Sequence, residues 1–153
     1  MASNTDAKTG QPIFGYHEPG FNHVGSYQVS CRPFVTASVQ VAASSSTMGA
    51  GTKVEFPGVT KFITVRNEEH NDIADSQVRL AFASGGLHQP NFNYILINAS
   101  SSFSADYRVS QVYIMSDTAT QPKVSVIAGI TTIKSARTPS GSWENTVGVD
   151  KTS

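Results

Sequence analysis

Alternating apolar and polar residues occupy the middle of the chain and predict β-strands. Residues 52–67, TKVEFPGVTKFITVRN, contain two runs in which every second side chain is apolar, which places the apolar side chains of each run on one face of a strand. Pro57-Gly58 separates the runs, and we expect a type II turn with Gly58 at positive φ. Because that turn does not match the twist of a two-residue hairpin, we predict a corner where the chain changes sheet, with a plain hairpin as the alternative.

A second alternating run precedes this corner. Residues 27–30 and residues 35–41 both alternate, and Pro33 separates them. Proline has no backbone N–H to donate to a neighbouring strand, so an edge strand or a bend is expected there. The face expected to be buried carries Val35, Ala37, Val39 and Val41.

The remaining runs complete an all-β pattern. Strands are predicted over residues 77–83, 92–98, 106–116 and 123–133, with a serine-rich link over residues 99–104. The run at 92–98 is apolar on both faces, which is typical of a strand buried on both sides or of an interface strand. Gly129 predicts a bulge or a close backbone approach. Seven or eight short strands without helical periodicity predict a single antiparallel β-sandwich, jelly-roll-like, with extended N-terminal and C-terminal arms.

Domain organisation follows from the distribution of turn-forming residues. We predict an extended N-terminal arm over residues 1–26, a β-sandwich domain over residues 27–134 and a C-terminal tail over residues 135–153. The total of 153 residues suits one domain.

Composition limits the partners that the protein can bind. Charged residues make up 14% of the chain, below the roughly 25% typical of globular domains. Eleven basic and eleven acidic residues give zero net charge, so there is no electrostatic footprint for nucleic acid or an anionic membrane, and little self-repulsion opposes association. The start, MASNTDAKTGQP, lacks the apolar run of a signal peptide, and no stretch approaches the length of a membrane span. We therefore expect synthesis in a reducing cytoplasm.

Candidate chemical groups do not assemble into a known reactive motif. The acidic residues Glu68 and Glu69, with His70 and Asp72, lack the spacing of calcium or zinc ligands, so a solvated loop is favoured over a weak cation site. The four histidines, His17, His23, His70 and His88, are expected on the surface or packed in the arm. The single cysteine, Cys31, is expected to be a buried or half-buried side chain, and no serine lies in a nucleophile elbow. We predict no enzyme activity, no catalytic residues, no cofactor and no metal.

Aromatic residues in loops and arms are the better functional lead. Such residues anchor protein interfaces or stack on sugars, although they also cap the ends of sandwich cores, and both alternatives are open for this group: Phe14, Tyr16, Phe21, Phe103 and Trp143. The predicted partner-binding residues are Phe14, Tyr16, Phe21 and Trp143.

The segments that carry the strands resemble a known class of proteins. GSYQVS, Cys31, RPFVTAS, KVEFPGVTKFITVRN, VRLAFAS, NYILIN, FSADYRVSQVYIMS and KVSVIAGIT are similar to segments of small β-sandwich decoration, cement or minor structural virion proteins of tailed bacteriophages. The resemblance covers about residues 25–133. It implies a non-enzymatic jelly roll that sits on a capsid or tail, and it brings no active-site residues.

This resemblance sets the functional expectation. We expect a capsid decoration or cement protein, made in the host cytoplasm and located in the virion, which binds major capsid or tail subunits and forms a homo-oligomer. Proteins of this class are often trimers. The alternative is a tail or receptor-binding module that recognises glycans. In that case a surface aromatic such as Trp143 or Tyr94 should lie beside polar side chains.

Overall fold

A computed structural model describes residues 19–47, 50–69, 76–88, 92–138, 143 and 146–150. In this part of the chain, eight strands form two four-stranded antiparallel sheets, and one short helix precedes them. The elements are α1 (Val24–Gln28), β1 (Arg32–Gln40), β2 (Thr52–Glu55), β3 (Thr60–Asn67), β4 (Val78–Ala81), β5 (Ile95–Ile97), β6 (Ser102–Ala105), β7 (Gln111–Ser116) and β8 (Lys123–Ile130), with 3₁₀ turns at Ser84–Leu87 and Ser135–Arg137.

Strand pairing is nested. β1 pairs with β8, β2 with β7, β3 with β6, and β4 with β5, all antiparallel. Two further pairings, β3 with β8 and β4 with β7, complete the first sheet, β1-β8-β3-β6, and the second sheet, β2-β7-β4-β5. This order is a long antiparallel ribbon rolled up on itself, which is the eight-stranded jelly roll. The predicted all-β antiparallel sandwich is therefore confirmed.

Pro57-Gly58 is the corner between the sheets. β2 ends at Glu55 in the second sheet and β3 begins at Thr60 in the first sheet, which confirms the change of sheet and excludes the hairpin. The predicted type II turn is wrong, because Gly58 is not among the described residues with positive φ. Glycine is required there for space: a Cβ at Gly58 would lie 2.9 Å from the carbonyl oxygen of Ile133.

The inner faces of the two sheets form one apolar core. β8 directs its even-numbered side chains inward, so that Val126 is fully buried and its neighbour Ile127 is 39% exposed on the outside. Phe34 and Phe56 meet edge to face in this core, with ring centroids 5.2 Å apart. Other members of the core are Val54, Ile63, Val65, Val78, Leu80, Ile97, Val112, Ile114, Val124, Ala128 and Ile130.

The face predicted for β1 is wrong in its first half. The register with β8 shifts between Thr36 and Val39, and Ser38 has a φ of 53°. This bulge reverses the alternation, so that Val39 packs against the core as predicted while Val35 is 65% exposed. β1 is an edge strand, as Pro33 predicted.

Four other expectations about elements are corrected by the structure. The run at residues 27–30 is not a strand, because Val24–Gln28 is helical. The serine-rich link at residues 99–104 contains most of β6, and the strand expected from residue 106 begins only at Gln111. Only residues 95–97 of the run at 92–98 form a strand, β5, which lies at the edge of the second sheet. This strand is not buried on both faces, because Leu96 is 45% exposed.

Gly129 shows the close approach that was one of the two alternatives predicted for it, while the bulge lies in the neighbouring strand. The β3 register slips by one residue opposite it, between Thr60 and Phe62. A Cβ at Gly129 would also overlap the sulfur of Cys31 and the ring of Phe62. Cys31 is half-buried, as expected.

Candidate functional site

Two of the predicted partner-binding residues are in contact. Phe21 and Trp143 pack edge to face, with ring centroids 5.4 Å apart and an interplanar angle of 66°. Both rings are half-buried. Phe14 and Tyr16, the other two predicted residues, lie outside the described part of the chain. The structure therefore brings a residue from the N-terminal part of the chain into contact with one from the C-terminal part.

Arg108 fixes this contact. Its guanidinium group lies 4.4 Å from the centroid of the Tyr27 ring and 5.9 Å from that of the Phe21 ring, which are cation–π distances. The indole Nε1 of Trp143 donates a 2.9 Å hydrogen bond to the backbone carbonyl oxygen of Arg108. Arg108 thus contacts Phe21 through its side chain and Trp143 through its backbone.

The short helix α1 positions Phe21 and Tyr27. His23 caps the helix, because its Nδ1 accepts a hydrogen bond from the backbone N–H of Ser26. Ser26 is buried, and its hydroxyl lies 3.4 Å from that of Thr132. The Tyr27 hydroxyl donates a 2.7 Å hydrogen bond to the carbonyl oxygen of Phe21. Burial raises the pKa of the Tyr27 phenol above its ordinary value, and the nearby Arg108 cation opposes this shift.

A second aromatic group completes the wall of a cavity at this end of the sandwich. Tyr107 meets Phe82 edge to face at 5.0 Å and stacks with Phe103 at 6.3 Å. Phe21, Trp143, Phe82 and Tyr107 line a cavity of about 620 Å³, which we call the aromatic pocket.

The aromatic pocket also carries polar groups. Asn22, Asp106 and Arg108 belong to its lining. Asn22 and Asp106 are exposed, and neither side chain forms a hydrogen bond or ion pair with another described residue. The carboxylate and the amide are thus available to a ligand.

A different surface covers the outside of the first sheet. Val35 lies opposite Ile127, and Pro33 lies opposite Gly129, over which Cys31 and Phe62 pack. Val35, Ile127 and Pro33 are exposed, and Cys31 and Phe62 are half-buried. We call the five side chains Cys31, Pro33, Val35, Phe62 and Ile127 the outer patch. Exposed apolar clusters of this kind mark interaction surfaces in soluble proteins.

Polar residues border the outer patch along the same sheet. Thr64 and Ser104 share a 2.7 Å hydroxyl–hydroxyl hydrogen bond. Glu68 accepts hydrogen bonds from the hydroxyls of Ser125 and Ser38. The hydrogen bond from Ser125 is the largest of the effects that lower the pKa of the Glu68 carboxyl. The outer face of the first sheet therefore has an apolar region next to a region of hydrogen-bonded polar side chains.

The acidic loop and the histidines show no reactive grouping in the described residues. Glu69 accepts a 3.0 Å hydrogen bond from the backbone N–H of Lys123, while His70 and Asp72 lie outside the described part, as does His17. No cluster of three or more potential metal ligands occurs among the residues that the structure describes. His88 corrects the expectation of a surface position, because it is only 3% exposed and its Nδ1 lies 3.1 Å from the carbonyl oxygen of Ser45.

Comparisons with known proteins identify no family for this chain. No protein-family model and no curated protein matches the chain. Within the described ranges, no helix has the length and apolar character needed to cross a membrane.

Proposed function

We propose that the protein is a non-enzymatic structural protein of a phage virion, a capsid decoration or cement protein that binds assembled shell subunits. The observation that carries the proposal is the outer patch on a jelly roll. The jelly roll is an architecture of viral capsid proteins, although it also serves lectins and cupins, so the exposed apolar face is what favours a binding role.

The first sheet is built to bind through its face and not through its edge. β1 is the edge strand next to β8, and Pro33 and the bulge before Val39 make this strand irregular. Both features oppose the addition of another strand. Val35 and Ile127 project from the sheet instead, so a flat partner surface can cover them.

A small apolar surface such as the outer patch suits a partner that presents many identical binding sites. Zero net charge and a low charged fraction give little repulsion between neighbouring copies. On a shell or tail, many identical sites and self-association, for example as a trimer, would multiply a modest affinity. The arm that contains Phe14 and Tyr16 is a further predicted contact with major capsid or tail subunits.

The test is binding to purified particles from which the protein has been removed. Val35→Ser combined with Ile127→Ser should abolish rebinding while the sandwich stays folded. Leu96→Ser is the matched control, because Leu96 is 45% exposed on the second sheet, and it should rebind like the unmodified protein. Full rebinding of the double variant would rule out the outer patch as the adhesive surface.

Deletion of the arm tests the second contact. The structure sets the end point of the deletion, because Phe21 and Ser26 pack against the body and their removal would damage the fold. A protein that lacks residues 1–18 should therefore stay folded and lose particle binding. Full occupancy by this shortened protein would contradict a role for the arm.

A further inference from the structure

We propose that the aromatic pocket binds a neutral carbohydrate, a monosaccharide or disaccharide. The site is separate from the outer patch, and its function does not depend on particle binding. Its volume of about 620 Å³ falls within the roughly 300–1,000 Å³ of small-molecule sites. Its lining combines aromatic faces with a few polar groups, which is the combination that a sugar ring needs.

Three of the aromatic residues, Phe21, Phe82 and Trp143, provide ring surface and no free hydrogen-bond donor, whereas the exposed Tyr107 also carries a hydroxyl group. The only tryptophan, Trp143, already uses its Nε1 on the carbonyl oxygen of Arg108. Its half-buried indole ring packs against the sandwich core and also lines the aromatic pocket. Phe21 and Phe82 have no polar atoms. The electron-rich face of an aromatic ring attracts the slightly positive C–H groups that a sugar presents on its apolar face.

The polar residues match hydroxyl groups. The Asp106 carboxylate accepts hydrogen bonds, and the Asn22 amide both donates and accepts. Neither side chain is paired with another described residue. A ligand that displaced water from these groups without forming hydrogen bonds to them would therefore lose binding free energy. A purely apolar occupant, such as a partner's aliphatic side chain, would leave both groups unsatisfied, whereas sugar hydroxyls satisfy them.

Charge favours a neutral sugar over an acidic one. Asp106 and Arg108 both line the aromatic pocket, and their opposite charges cancel. The guanidinium group of Arg108 lies over Tyr27 and Phe21, so these rings already attract its charge. A carboxylate on the ligand would also face the Asp106 carboxylate.

Contacts within the protein hold part of the pocket wall in place without a ligand. Arg108 holds the rings of Phe21, Tyr27 and Trp143, and the Tyr27 hydroxyl ties down the backbone at Phe21. A preformed site loses little conformational entropy on binding. This arrangement supports a real if modest affinity for a small ligand.

Intrinsic fluorescence tests the proposal directly, because Trp143 is the only tryptophan. The purified protein is titrated with glucose, galactose, mannose, N-acetylglucosamine, lactose and maltose, and with glucuronic acid as the acidic comparison. At least one neutral sugar should change the emission saturably. Phe21→Ala and Asp106→Asn should each weaken that binding about tenfold or more, a difference of about 1.4 kcal/mol.

Two controls make the result decisive. Phe92→Ala removes an exposed aromatic ring that does not line the aromatic pocket, and it should bind as the unmodified protein does. Asn22→Ala is a second pocket variant, used if Phe21→Ala fails to fold. Cyclohexanol, an apolar ring with one hydroxyl, tests for an apolar occupant.

Three outcomes would overturn the proposal. They are the absence of saturable binding by any neutral sugar at millimolar concentrations, equal binding by Asp106→Asn, and saturation by cyclohexanol without saturation by a sugar. None of these bears on rebinding to particles, which the outer patch variants measure separately.

Discussion

Phe21 and Trp143 pack edge to face at 5.4 Å, although they belong to opposite ends of the chain. Aromatic pairs of this geometry contribute about 0.5–1.5 kcal/mol beyond the area that they bury. We expect a double-mutant cycle of Phe21→Ala and Trp143→Ala, measured by urea unfolding, to give a coupling energy in that range. A cycle of Phe21→Ala with Phe92→Ala should give none. Equal coupling in both cycles would show that the contact does not stabilise the fold.

The corner between the sheets predicts a specific cost for one methyl group. In Gly58→Ala, the new Cβ would lie 2.9 Å from both an Ile130 side-chain carbon and the Ile133 carbonyl oxygen. Overpacking of this kind costs about 1–3 kcal/mol of unfolding free energy. Gly20→Ala is the control, because the added Cβ would have no atom of a non-adjacent described residue within 4 Å. Urea unfolding that finds both variants equally stable would contradict the close packing at the corner.

Adjacent residues of β8 separate stability from adhesion. Val126 is fully buried and Ile127 is 39% exposed. Val126→Ser places a hydroxyl in the core and should lower the free energy of unfolding by about 1–3 kcal/mol. Ile127→Ser should change stability by no more than about 0.5 kcal/mol and should reduce self-association in sedimentation experiments. If Ile127→Ser destabilises as much as Val126→Ser, then Ile127 is a core residue and not part of an open surface.

Tyr27 predicts how stability changes at alkaline pH. Burial raises the pKa of its phenol in the folded state, so its protonated form is favoured by folding. That contribution is present below the unfolded pKa of about 10 and is lost as the pH rises through the folded value. Tyr27→Phe should cost about 0.5–1.5 kcal/mol at neutral pH, from the lost hydrogen bond to Phe21.

The alkaline measurement compares the two proteins. The stability advantage of the unmodified protein over Tyr27→Phe should shrink as urea unfolding is repeated from about pH 8 to about pH 11. Tyr107→Phe is the control substitution, at a tyrosine that is 41% exposed. A constant advantage across this range would contradict the raised pKa.

Much of the architecture could be predicted from local patterns. The alternation of apolar residues and the Pro57-Gly58 corner depend on residues that are adjacent in the sequence. Gly129 marks a close contact that only glycine permits. The bulge at Ser38 could not be predicted in this way, because no glycine marks its positive φ. The sequence does not predict β6, because Phe103 is the only large apolar residue in this strand. Ser104 instead forms a hydrogen bond with the Thr64 hydroxyl.

The candidate sites were less accessible from sequence. The sequence identifies Phe21 and Trp143 as aromatic residues in arms, but it contains no signal that the two rings are in contact. Arg108, which contacts both residues, lies in a loop and belongs to no sequence motif. The aromatic pocket exists only because rolling the ribbon brings distant loops to one end of the sandwich. The outer patch likewise depends on the bulge that turns Val35 outward.

Quantifying the protein in purified virions tests the central claim most directly. Mass spectrometry should find the intact chain in gradient-purified particles at a fixed multiple of the shell or tail subunits, and cryo-electron microscopy should place the outer patch against a neighbouring subunit. The protein's absence from such particles, or its presence only as free protein in the lysate, would contradict a structural role in the virion.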